Sequence, residues 1–467
     1  MKFLFVFPPP EPSSVQRDHL FKGLFPPLGL LYLGKILQNE GDIVTILDFS
    51  AEPYDEQTLI SAISSIDAVG ITVLSVSVDR VKHMIHIIQK HRPDLPILIG
   101  GAHCTLVKEQ ALKETSASIG VIGDGEPVIV DVKKALNGTK DFSAIPGVVA
   151  QTPHGIEQGP PATLIKDLDT IAFPARHLVH HLTYGREFNP SFQAGDFTAI
   201  ITSRGCPYHC RFCSRGSISQ QRYRMRSIEN IIAELKEIKA QGYRHVAIAD
   251  DCFPTNTKHA IALFDEIRKE NLELSFSITA TRVDLADEEL YKKMRLAGVS
   301  HLQFGLESGN QEILDYYDKR ITLDDIKNAV TLSHKTGFFT IGSFILGAPF
   351  ETKQQFQQTI AFAKSLPLDS VSFLPLRYMV GSLLWDQAKR EGKIKENEYL
   401  IVADKQRKLG IYTKEELSRF CSNAQRSFYL RPRFFLRLLK KSLRNNDMSF
   451  IRSYLNYFYS SIKRIFQ

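Results

Sequence analysis

Residues 204–213 read RGCPYHCRFC, with Cys206, Cys210 and Cys213 set four and then three positions apart. The chain has six cysteines in 467 residues, and the other three, Cys104, Cys252 and Cys421, are scattered. An isolated cysteine is ordinarily a small buried hydrophobe, whereas three within eight positions ask for a common ligand. So few cysteines in so long a chain do not make a disulfide scaffold, and a disulfide here would leave one thiol over. A structural zinc site wants four ligands, and only His209 or a distant Cys252 could complete the set. An iron–sulfur cluster takes closely spaced thiolates on an irregular loop, and three of them on a four-iron cubane leave one iron open to a ligand.

The surroundings of this loop are regular. From 197 onward, short apolar runs (FTAIITS, HVAIAD, ELSFSIT, HLQFGL, FTIGSFIL, DSVSFLPL) alternate with amphipathic stretches such as IENIIAELKEIKAQG and TKQQFQQTIAFAKSL. That makes six strand–helix units, short of the eight of a closed barrel, with active groups expected at the strand C-termini. Upstream, KFLFVF, IVTILDF, AVGITVL, PILIGG and IGVIG alternate with helical patterns in the same way. Fully apolar strands between helices point to a doubly wound parallel sheet covered on both faces. Its ligand end reads FPPP, SVS (75–77), GGAHCT (100–105) and GDGE (123–126), glycine-rich turns that either approach a ligand or simply close strand to helix. The expected organisation is α/β: a Rossmann-like domain over 1–138, a proline-rich linker with a hairpin over 139–195, a partial (β/α)6 TIM-type barrel over 196–385, and a helical C-terminal region over 386–467.

C-x3-C-x-aromatic-C, with Phe212 at the aromatic position, directly after the first strand of a six-unit barrel, resembles the radical S-adenosylmethionine (SAM) superfamily. AIADDCF, TATRVD, FGLESGNQEIL and FILGAPFET extend the likeness strand by strand. The resemblance implies a [4Fe-4S] cluster on Cys206, Cys210 and Cys213 whose open iron chelates SAM and cleaves it reductively to a deoxyadenosyl radical. It also implies SAM contacts from Phe212, Asp250, Asp251, Arg282, Glu307, Ser308 and Gly347, with Arg282 on the SAM carboxylate because a guanidinium suits it bidentately.

The upstream domain resembles the cobalamin (B12)-binding domain that precedes many radical SAM barrels. That implies cobalamin contacts from Pro9, Ser75, Ser77, Gly100, Gly101, His103, Thr105, Gly123 and Glu126. The D-x-H-x-x-G motif that supplies a cobalt-ligating histidine elsewhere is missing, so the vitamin is expected base-off; a domain that kept the fold and lost the vitamin is the alternative. The implied activity is that of class B radical SAM methyltransferases: methyl transfer to an unactivated carbon, or to phosphorus, of a small molecule or lipid. Cyclisation or rearrangement, and a non-catalytic cobalamin- or zinc-binding protein, are the alternatives. A methylthiotransferase needs three more cysteines upstream, where only Cys104 stands. An electron donor of the flavodoxin or ferredoxin type is implied as partner.

Composition is that of a soluble globular protein, 43% hydrophobic and 23% charged. The prolines after MKFLFVF argue for a buried first strand rather than a signal peptide, so a cytoplasmic protein is expected. The net charge of +7 sits in residues 431–467, which hold nine Lys/Arg and only Asp447 as an acid. Such a tail either lies on an anionic membrane surface or caps the barrel with its basic residues solvated. Nucleic acid is not expected, since no binding module is visible.

Overall fold

The computed structural model describes residues 1–9, 24–189, 191–445 and 451. Strands β1 (Lys2–Phe7), β2 (Ile43–Asp48), β3 (Ala68–Thr72), β4 (Ile97–Gly100) and β5 (Ile119–Val121) form a parallel sheet in the order β2-β1-β3-β4-β5. Phe3, Leu4, Phe5 and Val6 of β1 are all buried, as strands covered on both faces must be. Helices Leu28–Asn39, Val78–His91 and Ile129–Leu136 supply the covering faces. The chain leaves β1 for β2 on one side and returns to β3 on the other. The switch between β1 and β3 opens a crevice at their carboxyl ends.

The expected hairpin exists as β6 (Val148–Thr152) and β7 (Gly155–Gln158). It corrects the domain boundary at 138, because β6 pairs antiparallel with β5 and makes the first sheet seven-stranded. Val148, Val149 and Ala150 are buried there; the segment read as linker is in part the sheet's own edge.

The second sheet begins with β8 (Phe197–Ile200). A small antiparallel pair follows, β9 (Ser203–Arg204) and β10 (Arg224–Met225). Next come β11 (His245–Ile248), β12 (Ser275–Thr281), β13 (Val299–Glu307), β14 (Phe339–Leu346) and β15 (Ser370–Pro375). These six principal strands, β8 and β11 to β15, are parallel and lie in sequence order, as the six expected units require. Helices start where hydroxyl and acid or amide side chains close capping boxes, Thr322 with Asp325 and Thr352 with Gln355. On β13 to β15 alternate residues (Leu302, Phe304, Leu306; Phe344, Leu346; Val371, Phe373) enter the core under the helices. The intervening set, including Gln303, Ser343, Ile345, Ser372 and Leu374, faces the barrel interior. Leu374 is 43% exposed, so that interior is open at its mouth.

After β15 the chain forms a second small antiparallel pair, β16 (Arg377–Met379) with β17 (Leu400–Val402). The region beyond 386 is therefore not wholly helical. Helix Lys414–Tyr429 then packs on β15, where the Tyr429 hydroxyl donates to Val371 O and accepts from Val371 N. Arg431 donates to Lys364 O at 2.7 Å and Phe434 is buried, so the tail begins as a folded cap. Further along, the sequence spaces Ile451, Leu455 and Phe458 for one helical face, and of these only Ile451 is among the described residues. No helix among the described residues is long and apolar enough to cross a membrane.

One buried ion network pins the connecting segment to the barrel. Arg176 is fully buried and donates to Thr198 Oγ1, Ala199 O and the Glu234 carboxylate. Glu234, on helix Ile228–Ala240, also takes Arg226. Removing the shared anion leaves two guanidiniums uncompensated, which costs about 3–5 kcal/mol. Glu234→Ala is therefore expected to lower the thermal midpoint sharply, whereas an exposed control on the same helix such as Glu229→Gln is not; equal midpoints would show that the network is not needed.

Candidate active site between the two sheets

The cysteine loop has little regular structure of its own and is held from outside. Gly205 enters it at φ 93°, and a Cβ there would come within 2.0 Å of Arg222 O, so only glycine makes the turn. Asp251, just past β11, grips both ends. Its Oδ2 accepts from Gly205 N at 3.1 Å and its Oδ1 from Arg215 Nη1 at 2.5 Å. The middle is tied by Arg211 N to Tyr317 O, by Leu384 N to Arg211 O, and by Phe212 edge-on to Tyr317.

Cys206, Cys210 and Cys213 are all partly exposed. A hydrogen bond from the Cys252 thiol lowers Cys206 to about 6, while burial raises Cys210 to about 11 and also raises Cys213. Arg282, Lys319 and Arg215 are the cations these sulfurs feel, the setting that favours bound thiolates. Among the described residues no three His, Cys, Asp or Glu side chains converge on one point, as a lone metal ion needs. A cubane makes no such demand, because each thiolate takes a different iron. The donor set fits a cluster.

Two of the barrel strands are deformed where they reach this loop. β12 and β13 lose register between Ile278 and Thr281 and between Gly305 and Glu307, and Ala280 and Glu307 sit there with φ of 54° and 58°. Left-handed non-glycine residues and bulges re-aim side chains at functional sites. Here they bring Arg282 and Glu307 toward the loop. Arg282 lies 3.4 Å over the Tyr208 ring and is held bidentately by Asp284 at 2.7 and 2.9 Å. Glu307 pairs with Lys319 at 2.7 Å.

Three expected SAM contacts are placed otherwise. Asp250 is buried, with its oxygens accepting from Thr202 N, Thr202 Oγ1 and Ser203 Oγ; it welds β11 to the end of β8 and does not face the loop. Ser308 is buried against Thr359. Gly347, at φ 108°, turns its N–H to Glu351 Oε2 at 2.7 Å, and Ala348 N adds a second bond at 3.0 Å.

At the carboxyl ends of the first sheet lies a cavity of about 1320 Å³, larger than the roughly 300–1,000 Å³ of ordinary ligand clefts. Pro9, Ser75, Ser77, Gly100, Gly101, Gly123 and Glu126 line it. His103 and Thr105 stand behind the wall. His103 is fully buried, with Nδ1 on Ser75 Oγ at 3.1 Å and Nε2 on Glu114 at 2.7 Å, so neither nitrogen is offered to a metal. Thr105 Oγ1 donates to Gly101 O and accepts from Gly123 N, which fixes two glycines of the wall. Gly101 itself, at φ 100°, leaves a Cβ only 3.0 Å from Val73 O. The size and the glycine cradle fit a macrocyclic cofactor.

The cavity is walled on its far side by the barrel. Arg204, Gly205, Arg215 and Asp251 line it, and so do Arg377, Met379 and Tyr399 of the β16–β17 region. Ions cross the gap: Arg204 meets Glu126 at 2.5 Å and Asp124 at 3.4 Å, and Arg224 meets Asp124 at 2.7 Å. The Tyr399 hydroxyl donates to Glu114 at 3.0 Å. Sequence reading missed Lys319, Asp284, Glu114, Tyr399 and Arg204 because nothing local marks their partners; only Asp284, two positions after Arg282, carried a signal.

A thiol loop at the barrel mouth, facing a macrocycle-sized crevice of a doubly wound sheet, defines an α/β protein with two facing cofactor sites. The Radical SAM superfamily matches residues 200–363 and the B12 binding domain residues 19–133. An uncharacterised methyltransferase of Pyrococcus horikoshii is 31% identical over 94% of each chain. The cytidylyl-2-hydroxyethylphosphonate methyltransferase of Streptomyces wedmorensis is 25% identical over 90% of this chain and 89% of that one. The structure of TsrM from Kitasatospora setae with cobalamin and a [4Fe-4S] cluster superposes with a TM-score of 0.67, at 22% identity, over 84% of this chain and 75% of that one. The chain belongs to the cobalamin-dependent radical SAM methyltransferase family. It is a radical SAM enzyme, with a [4Fe-4S] cluster, SAM and cobalamin as its cofactors.

The turn at Gly347 gives a pH test. Glu351 is fully buried, one oxygen has no partner, and burial raises its carboxyl from an ordinary 4.5 to about 7. Between those values the folded chain holds a proton that the unfolded chain has lost, so stability falls as pH rises across the window. Glu351→Gln keeps an oxygen for Gly347 and Ala348 but cannot ionise. The thermal midpoint of the variant, measured without SAM, is expected to gain on the wild type from pH 4.5 to 7; parallel profiles would refute the buried acid.

Proposed function

We propose that this protein transfers a methyl group to an unactivated carbon, or to phosphorus, of a small molecule or lipid. The observation that carries the reading is the continuity of the cysteine loop with the cavity: Gly205 of the loop lines it, and so do Arg215 and Asp251, which fasten the loop's ends. Bound together, the three cofactors supply reductive cleavage of SAM and a methyl carrier. Cys206, Cys210 and Cys213 would hold the cluster, with Asp251 fixing the loop's two ends. Arg282, its plane set by Asp284 and Tyr208, would take the SAM carboxylate, and Glu307 with Lys319 would border the same ligand. Pro9, Ser75, Gly100, Gly101 and Gly123 would bed the cobalamin.

The cavity walls include Phe7, Pro8, Phe25, Pro26 and Leu33. Apolar walls exclude water, as a carbon radical requires, since it is quenched by any stray hydrogen donor. The electron would come from a flavodoxin- or ferredoxin-type donor. Any peripheral membrane contact would run through helix Pro432–Asn445, whose Leu436 and Leu443 are 56% and 66% exposed.

Alanine at Cys206, Cys210 or Cys213 is expected to abolish 5′-deoxyadenosine formation and to deplete cluster iron, read by chromatography and iron analysis. Deoxyadenosine at wild-type yield in all three variants would overturn the assignment. Arg282→Ala is expected to weaken SAM binding while the cluster's absorption persists; unchanged SAM affinity would remove that role from Arg282.

A further inference from the structure

The inference rests on the reading above and concerns what the substrate carries. The cavity is mostly apolar, and its charged lining residues are matched with one exception. Lys82 faces Asp79 at 3.5 Å and Glu114 at 3.8 Å. Arg204 and Arg224 face Asp124 and Glu126, and Arg215 faces Asp251. Glu398 is gripped by Arg407 at 2.6 and 2.7 Å. Arg377 alone, among the described residues that line the cavity, is an ion whose side chain has no hydrogen bond or counter-ion.

Its position gives the missing anion a place. Arg377 is the first residue of β16, two residues beyond the end of β15, the last barrel strand. It pairs through its backbone with Val402. Tyr378 is buried in the barrel core, and its neighbours Arg377 and Met379 line the cavity instead. Glu398, the carboxylate of the strand pair's loop that also lines the cavity, is already taken bidentately. Arg377 thus lines the cavity just past the carboxyl end of the last barrel strand. The interior positions leading to it (Ser343, Ile345, Ser372, Leu374) are neutral. A cation kept without a partner beside apolar walls is unfavourable unless a ligand supplies the opposite charge, and a guanidinium matches a carboxylate or phosphate fork.

We propose that Arg377 is a substrate-binding residue that pairs with an oxyanion, carboxylate or phosphate-type, on a substrate whose body is otherwise apolar. The probes are hexylphosphonate, hexanoate and hexanol, titrated calorimetrically into cobalamin- and cluster-loaded wild type, Arg377→Gln and Arg377→Lys. Hexylphosphonate or hexanoate is expected to bind the wild type about ten-fold or more tighter than Arg377→Gln, the size of a charge-assisted hydrogen bond. Arg377→Lys is expected to retain part of the gain, having lost the fork, and hexanol is expected not to distinguish the three proteins.

Whichever anion binds more tightly identifies the group. Equal affinities of the anions for wild type and Arg377→Gln, or no anion binding to the wild type, would overturn the proposal. A ten-fold loss of hydroxocobalamin affinity in Arg377→Gln would overturn it too, by giving the arginine to the cofactor's own phosphodiester. Melting midpoints check that the variants are folded. Iron, cobalt and deoxyadenosine are measured on the same wild-type preparation, so a failure of the cofactor reading shows there and not in the anion titration.

Discussion

Asp251 closes the loop on which the site depends. A ten-residue segment carrying three thiols has no ladder to define it, so its shape comes from what its ends and middle are attached to. Asp251 takes one backbone donor before Cys206 and one guanidinium after Cys213. Charge-assisted bonds of this kind are the strong ones. The attachment point is just past the end of β11, a fully buried strand paired on both sides, so the loop inherits the rigidity of the sheet. Gly205 permits the approach, and Tyr317 receives the loop's middle.

That same loop is where the two sheets meet, and electrostatics decides how closely they can do so. Bringing two protein surfaces together around an apolar cavity strips water from every ion along the seam, which costs more than the ions recover unless each finds a partner. Arg204, two residues before Cys206, solves this by standing between Glu126 and Asp124 of the first domain and over the Tyr32 ring. Glu114 does the equivalent on the other side, sharing its oxygens between His103 and Tyr399. The first bridge starts at the turn after β5 and the second on helix Glu109–Thr115, and both end on segments flanking the barrel. Ion pairs on one side and a hydrogen bond on the other thus span the gap between the crevice and the thiol loop.

Much of this was legible in the chain itself. All-apolar strands announced two parallel sheets, six strand–helix units appeared in order, and the cysteine spacing located the cluster loop. Pro9, Ser75, Gly100, Gly101 and Gly123 stand at strand ends, which is where a doubly wound sheet opens its crevice, and they line the cavity there. What was not legible depends on partners far away in sequence. The hairpin at 148–158 and the strand IGVIG were each visible, but not their pairing, so an edge of the sheet looked like a linker. Two adjacent acids after β11 looked equivalent; the strand's alternation sends Asp250 into Thr202 and Ser203 and leaves Asp251 for the loop. Ser308 was taken with Glu307, yet the bulge before it turns the serine under the helix that carries Thr359.

The bulges in β12 and β13 explain why neighbouring residues part company at this mouth. A regular strand would point Ala280 and Arg282 to the same face, and likewise Gly305 and Glu307. Left-handed conformations at Ala280, one residue before β12 ends, and at Glu307, the last residue of β13, break that rule. They also carry a conformational cost that surrounding contacts must offset. The contacts are present: Phe253 N bonds Ala280 O, Arg282 N bonds Phe253 O, and Lys319 holds the Glu307 carboxylate. Two strained residues, each secured from a neighbouring element, bring a guanidinium and a carboxylate to the edge of the thiol loop. A sheet with perfect register would have kept them in line with the barrel interior, out of reach of a ligand bound at its rim.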